Sequence, residues 1–166
     1  MHDSAWLDRR HYDGDLPAAA ERALRAAGLA WHDEAAAEKH ILDALALAPG
    51  HLDAHIGAYR FYFYRHRLAE ALPHAETCLA DALRRSQLPA DWRNVRADDP
   101  AFSALEPGPR LVLFSLVAYG YVLARLGRQA ESRIALAKVA ELDPEDRMSA
   151  RRLLAVIDGG GGVEED

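Results

Sequence analysis

Two eighteen-residue phrases, HDEAAAEKHILDALALAP ending at Pro49 and GRQAESRIALAKVAELDP ending at Pro144, align without a gap. Gln129 stands opposite Glu34, Ser132 opposite Ala37, Leu136 opposite Ile41, Val139 opposite Ala44 and Leu142 opposite Leu47. The small and apolar positions recur at the three- and four-residue spacing of one helix face, and each phrase stops at a proline. A chain that repeats a helical phrase is expected to stack helical units, because one unit alone cannot bury its apolar face. The two prolines lie 95 residues apart, which is two periods of 34 with 27 residues over.

Composition agrees with helix. Of 166 residues, 33 are alanine, the strongest helix former, and half are hydrophobic, enough for a packed core. The net charge of −6 is uneven: residues 1–53 carry −5, residues 54–96 carry +3, and residues 97–166 carry −4. A mildly basic middle between acidic ends lacks the basic excess that nucleic-acid binding requires, so no nucleic-acid partner is expected. It suits an acidic segment of a protein partner. Cys78 is the only cysteine, which excludes an internal disulfide and a thiolate cluster. The start, MHDSAWLDRRHYDGD, has no apolar run of the signal-peptide kind. LVLFSLVAYGYVLA at 111–124 is shorter than the roughly 20 residues of a membrane helix. The expectation is a cytoplasmic protein with no membrane partner.

Read along the chain, Asp15 and Asp33 are candidate helix N-caps, and Pro49–Gly50 closes the second helix of a unit spanning 16–49. A second unit is expected over 51–85, with Gly57, Ala71, Ala75 and Cys78 as small packing residues. It has no turn glycine, and Pro73 is tolerable if its second helix starts near Leu68, about in the first turn. An insertion at 86–109 contains four prolines, with Trp92 and Phe102 expected to pin it and Asp99–Pro100 able to open a single turn. A third unit follows at 110–144. A capping helix at 145–158 has Asp143 as N-cap and Leu153, Leu154 and Ile157 as its apolar side. The tail at 159–166 is glycine-rich and acidic, and is expected to be flexible.

The densest stretch, YRFYFYRHRL at 59–68, holds five aromatic rings and three arginines. Its alternation fits a strand locally, yet Ala54, His55 and Ala58 break the pattern and no partner strand is evident. As a helix over 51–65, Leu52, Ile56, Tyr59 and Phe63 form the core stripe, while Asp53, Gly57, Arg60 and Tyr64 form the next. His51, His55 and Tyr62 border the core on its other flank.

The third unit, AYGYVLARLGRQAESRIALAKVAELDP, resembles the tetratricopeptide-repeat family. Gly120 takes the place where two helices approach closely, Gly127 the turn, Ser132 the small-residue place and Pro144 the end. The resemblance covers about two-thirds of the chain and implies an all-α fold. Antiparallel helix pairs would form a short right-handed superhelix with a C-terminal capping helix. It further implies a hollow face that binds a peptide, lined here by Arg22, Asp53, Arg60, Tyr64, Tyr121 and Arg125. Paired asparagines and lysines of the carboxylate-clamp variant are absent, since Asn94 is the only asparagine. AHIGAYRFYFYRHRLAEALPHAE is also similar to small tetratricopeptide-like proteins encoded near bacterial nitrogen-fixation genes. That resemblance implies an accessory role in assembling or regulating a metalloenzyme.

Catalytic and metal constellations are not evident. His51 and His55 stand four apart on a helix, but no HExxH motif or third ligand accompanies them. Cys78 sits on an alanine-rich face without a flanking motif, and the GGGG run follows no strand, so it is no phosphate loop. A non-enzymatic adaptor without cofactor is expected, with a homodimer through FSLVAYGY as the alternative.

Overall fold

The structure, a computed structural model, describes residues 16–99 and 107–159. Asp15, Pro100, Phe102 and the tail beyond Gly159 lie outside the described residues. Among the described residues the chain is all-helical, with seven α-helices, one 3-10 turn and no strand. They are α1 (Ala18–Leu29), α2 (Glu34–Leu47), α3 (Leu52–Tyr64), α4 (Leu68–Arg85), α5 (Pro107–Arg125), α6 (Gln129–Leu142) and α7 (Ala150–Asp158), with the 3-10 turn at Trp92–Asn94. Two compact units divide between His74 and Ala75, inside α4.

In the first unit, α1 and α2 pack as a pair across a four-residue connection, and α3 packs on both. Asp33 caps α2, its Oδ1 accepting from the Ala36 N–H at 3.1 Å. Ala37, Ile41 and Ala44 are buried along one face, as the spacing predicts. His51 caps α3 through an imidazole, Nδ1 accepting from the Asp53 N–H at 3.0 Å. The crossing of α3 over α1 depends on Gly57, where a Cβ would lie 2.9 Å from Leu24 Cδ2. The stripe Asp53–Gly57–Arg60–Tyr64 therefore has α1 as a neighbour at Gly57.

Burial on α3 exceeds one stripe. Leu52, Ile56, Tyr59 and Phe63 are buried as expected, and so are Ala54, Ala58, Phe61 and Tyr62. Among the described residues Phe61 is the largest side chain that is fully buried. In α4 the start at Leu68 matches the expectation, but Pro73 falls in the second turn, where it has no N–H to give to the Ala69 carbonyl.

In the second unit, α5 and α6 pack as a pair and α7 packs against α6. A Cβ at Gly120 would meet Leu136 Cγ and Cδ2 at 2.9 Å. The Ser132 hydroxyl, fully buried, donates to the Gly120 carbonyl at 2.7 Å, so glycine and small residue form one close contact. Gly127 has φ +83° and closes α5. The bond from the Arg128 N–H to the Leu123 carbonyl completes that turn. His66, at φ +61°, makes the equivalent closure of α3, with Arg67 N–H donating to the Tyr62 carbonyl. Gln87, at φ +57°, does the same for α4. The turn geometry thus persists without glycine.

Trp92 is buried, edge-on to Tyr119 with ring centroids 6.4 Å apart, and Lys138 Nζ donates to the Val95 carbonyl at 2.9 Å. These contacts hold the described part of the 86–109 insertion. Its last residues are helical, because α5 begins at Pro107, where prolines in a first turn cost no helical hydrogen bond. The capping helix also differs from its expected range. It starts at Ala150, not 145, and Asp143 does not cap it; its Oδ2 accepts from the Met148 N–H at 2.8 Å and holds the intervening turn. Asp146 and Ser149 adopt left-handed backbone there, which a helix from 145 would not allow. Ile157 packs with Ala124 and Leu136, and Leu153 and Leu154 flank them, so the apolar side of the cap is as expected.

Candidate functional site

The first unit gathers rings and guanidinium groups where α3 ends beside the α1–α2 connection. Trp31, in that connection, stands edge-on to Phe61 at 5.6 Å. The Arg60 guanidinium lies 6.0 Å from the Trp31 ring centre and 6.0 Å from that of Tyr64. Arg65 lies 5.4 Å from Trp31 and 5.5 Å from Phe61. Such contacts hold a cation by the negative face of the ring while leaving its hydrogen-bonding edge less engaged than a carboxylate would. Tyr64 is exposed, while Arg60, Arg65 and Trp31 are half-buried. A large apolar side chain, Leu29, is exposed at the end of α1.

A second group on the same unit is a closed electrostatic network. Arg67 donates to Glu38 at 2.9 Å through both terminal nitrogens, to Glu70 at 2.7 Å and to Glu34 at 3.2 Å. Its guanidinium also lies 4.8 Å from the Tyr62 ring centre. The Tyr62 hydroxyl donates to Glu38 at 2.9 Å. The Arg67 hydrogen bond holds the Glu38 carboxyl below its ordinary range. Burial first, and then the Glu38 carboxylate, push the Tyr62 phenol up to about 12. Every charge here is answered within the unit, so the network fastens α2, α3 and α4 to one another.

Behind Tyr62 lie two histidines. The His74 ring stacks on Tyr62 at 5.8 Å, with 10° between planes, and its Nδ1 is 3.0 Å from His55 Nδ1. His55 Nε2 is 2.6 Å from the Pro49 carbonyl, which can only accept, so His55 carries its proton on Nε2. Its Nδ1 then presents a lone pair, to which His74 Nδ1–H donates. Burial, and secondarily His55, depress the His74 pKa to about 4, so His74 is neutral at pH 7. The i, i+4 pairing of His51 with His55 considered from spacing is not used: His51 caps the helix, and the true partner of His55 is on the next helix.

The six candidates for the hollow face divide between the units. Arg22, Asp53, Arg60 and Tyr64 belong to the first, and Tyr121 and Arg125 to the second. Arg22 is exposed on α1, and Asp53 is half-buried in the first turn of α3. Tyr121 is buried, its hydroxyl accepting from Arg125 Nη1 at 3.3 Å. Sequence reasoning missed Trp31 and Arg65, which join Arg60 and Tyr64. Nothing in the spacing of a lone tryptophan at a turn marks it as a neighbour of residues thirty positions on. Among the described residues no group of three or more histidine, cysteine or acidic side chains could hold a metal ion, and no helix is long and apolar enough to cross a membrane.

No protein-family model matches the chain, and no solved structure matches it. A curated relative does: the "Uncharacterized 19.8 kDa protein in nifW 5'region" of Azotobacter chroococcum mcd 1 is 40% identical over 153 residues. The match covers 91% of this chain and 86% of the relative. The resemblance to proteins encoded near nitrogen-fixation genes is thereby borne out at the level of that neighbourhood, and the chain belongs to the family of this nifW-region protein.

Proposed function

We propose that the chain is a non-enzymatic, tetratricopeptide-like scaffold that holds an acidic segment of a partner protein against the arginine–aromatic cluster of its first unit. The carrying observation is the arrangement of the exposed Tyr64 with Arg60, Trp31 and Arg65 around one helix end. Tyrosine, tryptophan and arginine dominate the energetics of protein interfaces: the two aromatic residues bring large contact area with little loss of rotamer freedom, and arginine brings directed, charged hydrogen bonds. The +3 charge of residues 54–96 favours an acidic partner segment. Tetratricopeptide-like design is supported by the recurrence of the helical phrase and by the close contact of Gly120, Ser132 and Leu136.

The relative's position in the nifW 5' region favours a setting for this scaffold in the assembly or regulation of a bacterial metalloenzyme such as nitrogenase. The test is affinity capture from an extract of the native host, run in parallel with wild type and with the Arg60→Ala, Tyr64→Ala double variant. Proteins retained by wild type and lost by a normally folded double variant support the reading; an unchanged set sinks it. Light scattering across a concentration range covers the alternative, since a stable dimer that buries Phe114 would move the reading to self-association.

A further inference from the structure

We propose that His55 and His74 form a binding site for a late first-row transition ion such as Zn²⁺, each ring ligating through Nδ1. The two Nδ1 atoms already face each other at 3.0 Å. Two nitrogens bound to one ion at about 2.0–2.1 Å stand roughly 2.9 Å apart in square-planar neighbouring positions and roughly 3.3 Å apart in a tetrahedron, so the observed separation already matches that of two neighbouring ligands, and each ring need only turn its Nδ1 from the other ring towards the ion. His55 is oriented by the Pro49 carbonyl on its far nitrogen, the contact that fixes tautomer and direction in histidine ligands. His74 is oriented by its stack on Tyr62, which Glu38 anchors in turn.

Proton accounting is favourable. His55 already offers its Nδ1 lone pair, and His74 offers its own by moving one proton from Nδ1 to Nε2, with no net release. Both rings are half-buried, close enough to solvent for an ion to enter. Two protein ligands leave positions for water or an outside donor, which makes the site exchangeable and not a closed structural centre.

The test is calorimetric titration of the full chain with Zn²⁺ near neutral pH, with Mg²⁺ as an oxygen-seeking control. One Zn²⁺ per chain and no response to Mg²⁺ are expected, with affinity falling on the order of 10-fold or more in His55→Gln and in His74→Gln. His32→Gln, at an exposed turn, should bind as wild type does. Should either variant fail to fold, histidine-ring NMR of wild type decides, since only His55 and His74 signals should move on adding Zn²⁺. Absence of saturable binding at millimolar Zn²⁺, undiminished binding in both variants, or shifts at other histidines would overturn the proposal.

Discussion

Tyr59 and Arg60 are adjacent in sequence and differ in burial, because a step of one residue turns a helix by about 100°. Tyr59 is buried and stacks on Phe63 at 5.4 Å. Tyr59→Ala should lower unfolding free energy by about 3–5 kcal/mol in denaturant titration, as loss of a buried aromatic does. Replacing Arg60 and Tyr64 together with alanine removes cation–π contacts of half-buried and exposed groups, each on the order of 1 kcal/mol, and leaves the core stripe intact, so the fold should survive. Partner affinity should drop by about 2 kcal/mol or more if the cluster is the binding hot spot. His74 adds a pH dependence. Its folded pKa of about 4 lies below the ordinary 6.5, so its contribution is complete above pH 6.5 and is lost as pH falls through 6.5 towards 4. Glu38, also depressed, acts in a lower window, losing its contribution as pH drops below 4.5. Melting temperature measured from pH 7 to pH 4 should therefore fall more steeply for wild type than for His74→Gln. Parallel curves would contradict the depressed His74 pKa.

At the scale of the helix, what matters is how each element stops and where two of them touch. Among the described residues three helices end through one left-handed residue, of which only Gly127 is glycine. A side chain in that conformation costs roughly 1–2 kcal/mol, so Gly127→Ala should destabilise by about that amount. Gln87→Gly should instead raise stability, by less than about 1 kcal/mol because glycine also frees the unfolded chain. Opposite signs for the two variants in thermal melts, with the smaller change at Gln87, check the closure motif. Gly120→Ala places a methyl against Leu136 and should cost about 1–3 kcal/mol by overpacking. The same change combined with Leu136→Val should recover part of that loss, which a purely conformational effect of glycine would not.

For the whole molecule, far-UV circular dichroism should be dominated by helix, and appreciable strand content would contradict the described fold. That helical character was legible from sequence because it rests on local quantities: alanine content, apolar spacing, and prolines and glycines at helix ends. The core stripe of α3 and the Asp33 cap were legible for the same reason, while the Gly120 contact and the Gly127 turn were legible only through the resemblance to the tetratricopeptide-repeat family. Where local signals conflicted, tertiary contacts decided. Phe61 and Ala58 are buried although they lie off the main stripe, because α3 is covered on more than one side. The final helix starts at Ala150, because Asp143 finds the Met148 N–H within the preceding turn. The arginine–aromatic cluster and the imidazole pair depend on tertiary structure entirely. Trp31 reaches Arg60, and His55 reaches His74, only after separate helices have packed, and helical periodicity carries no information about which faces will meet.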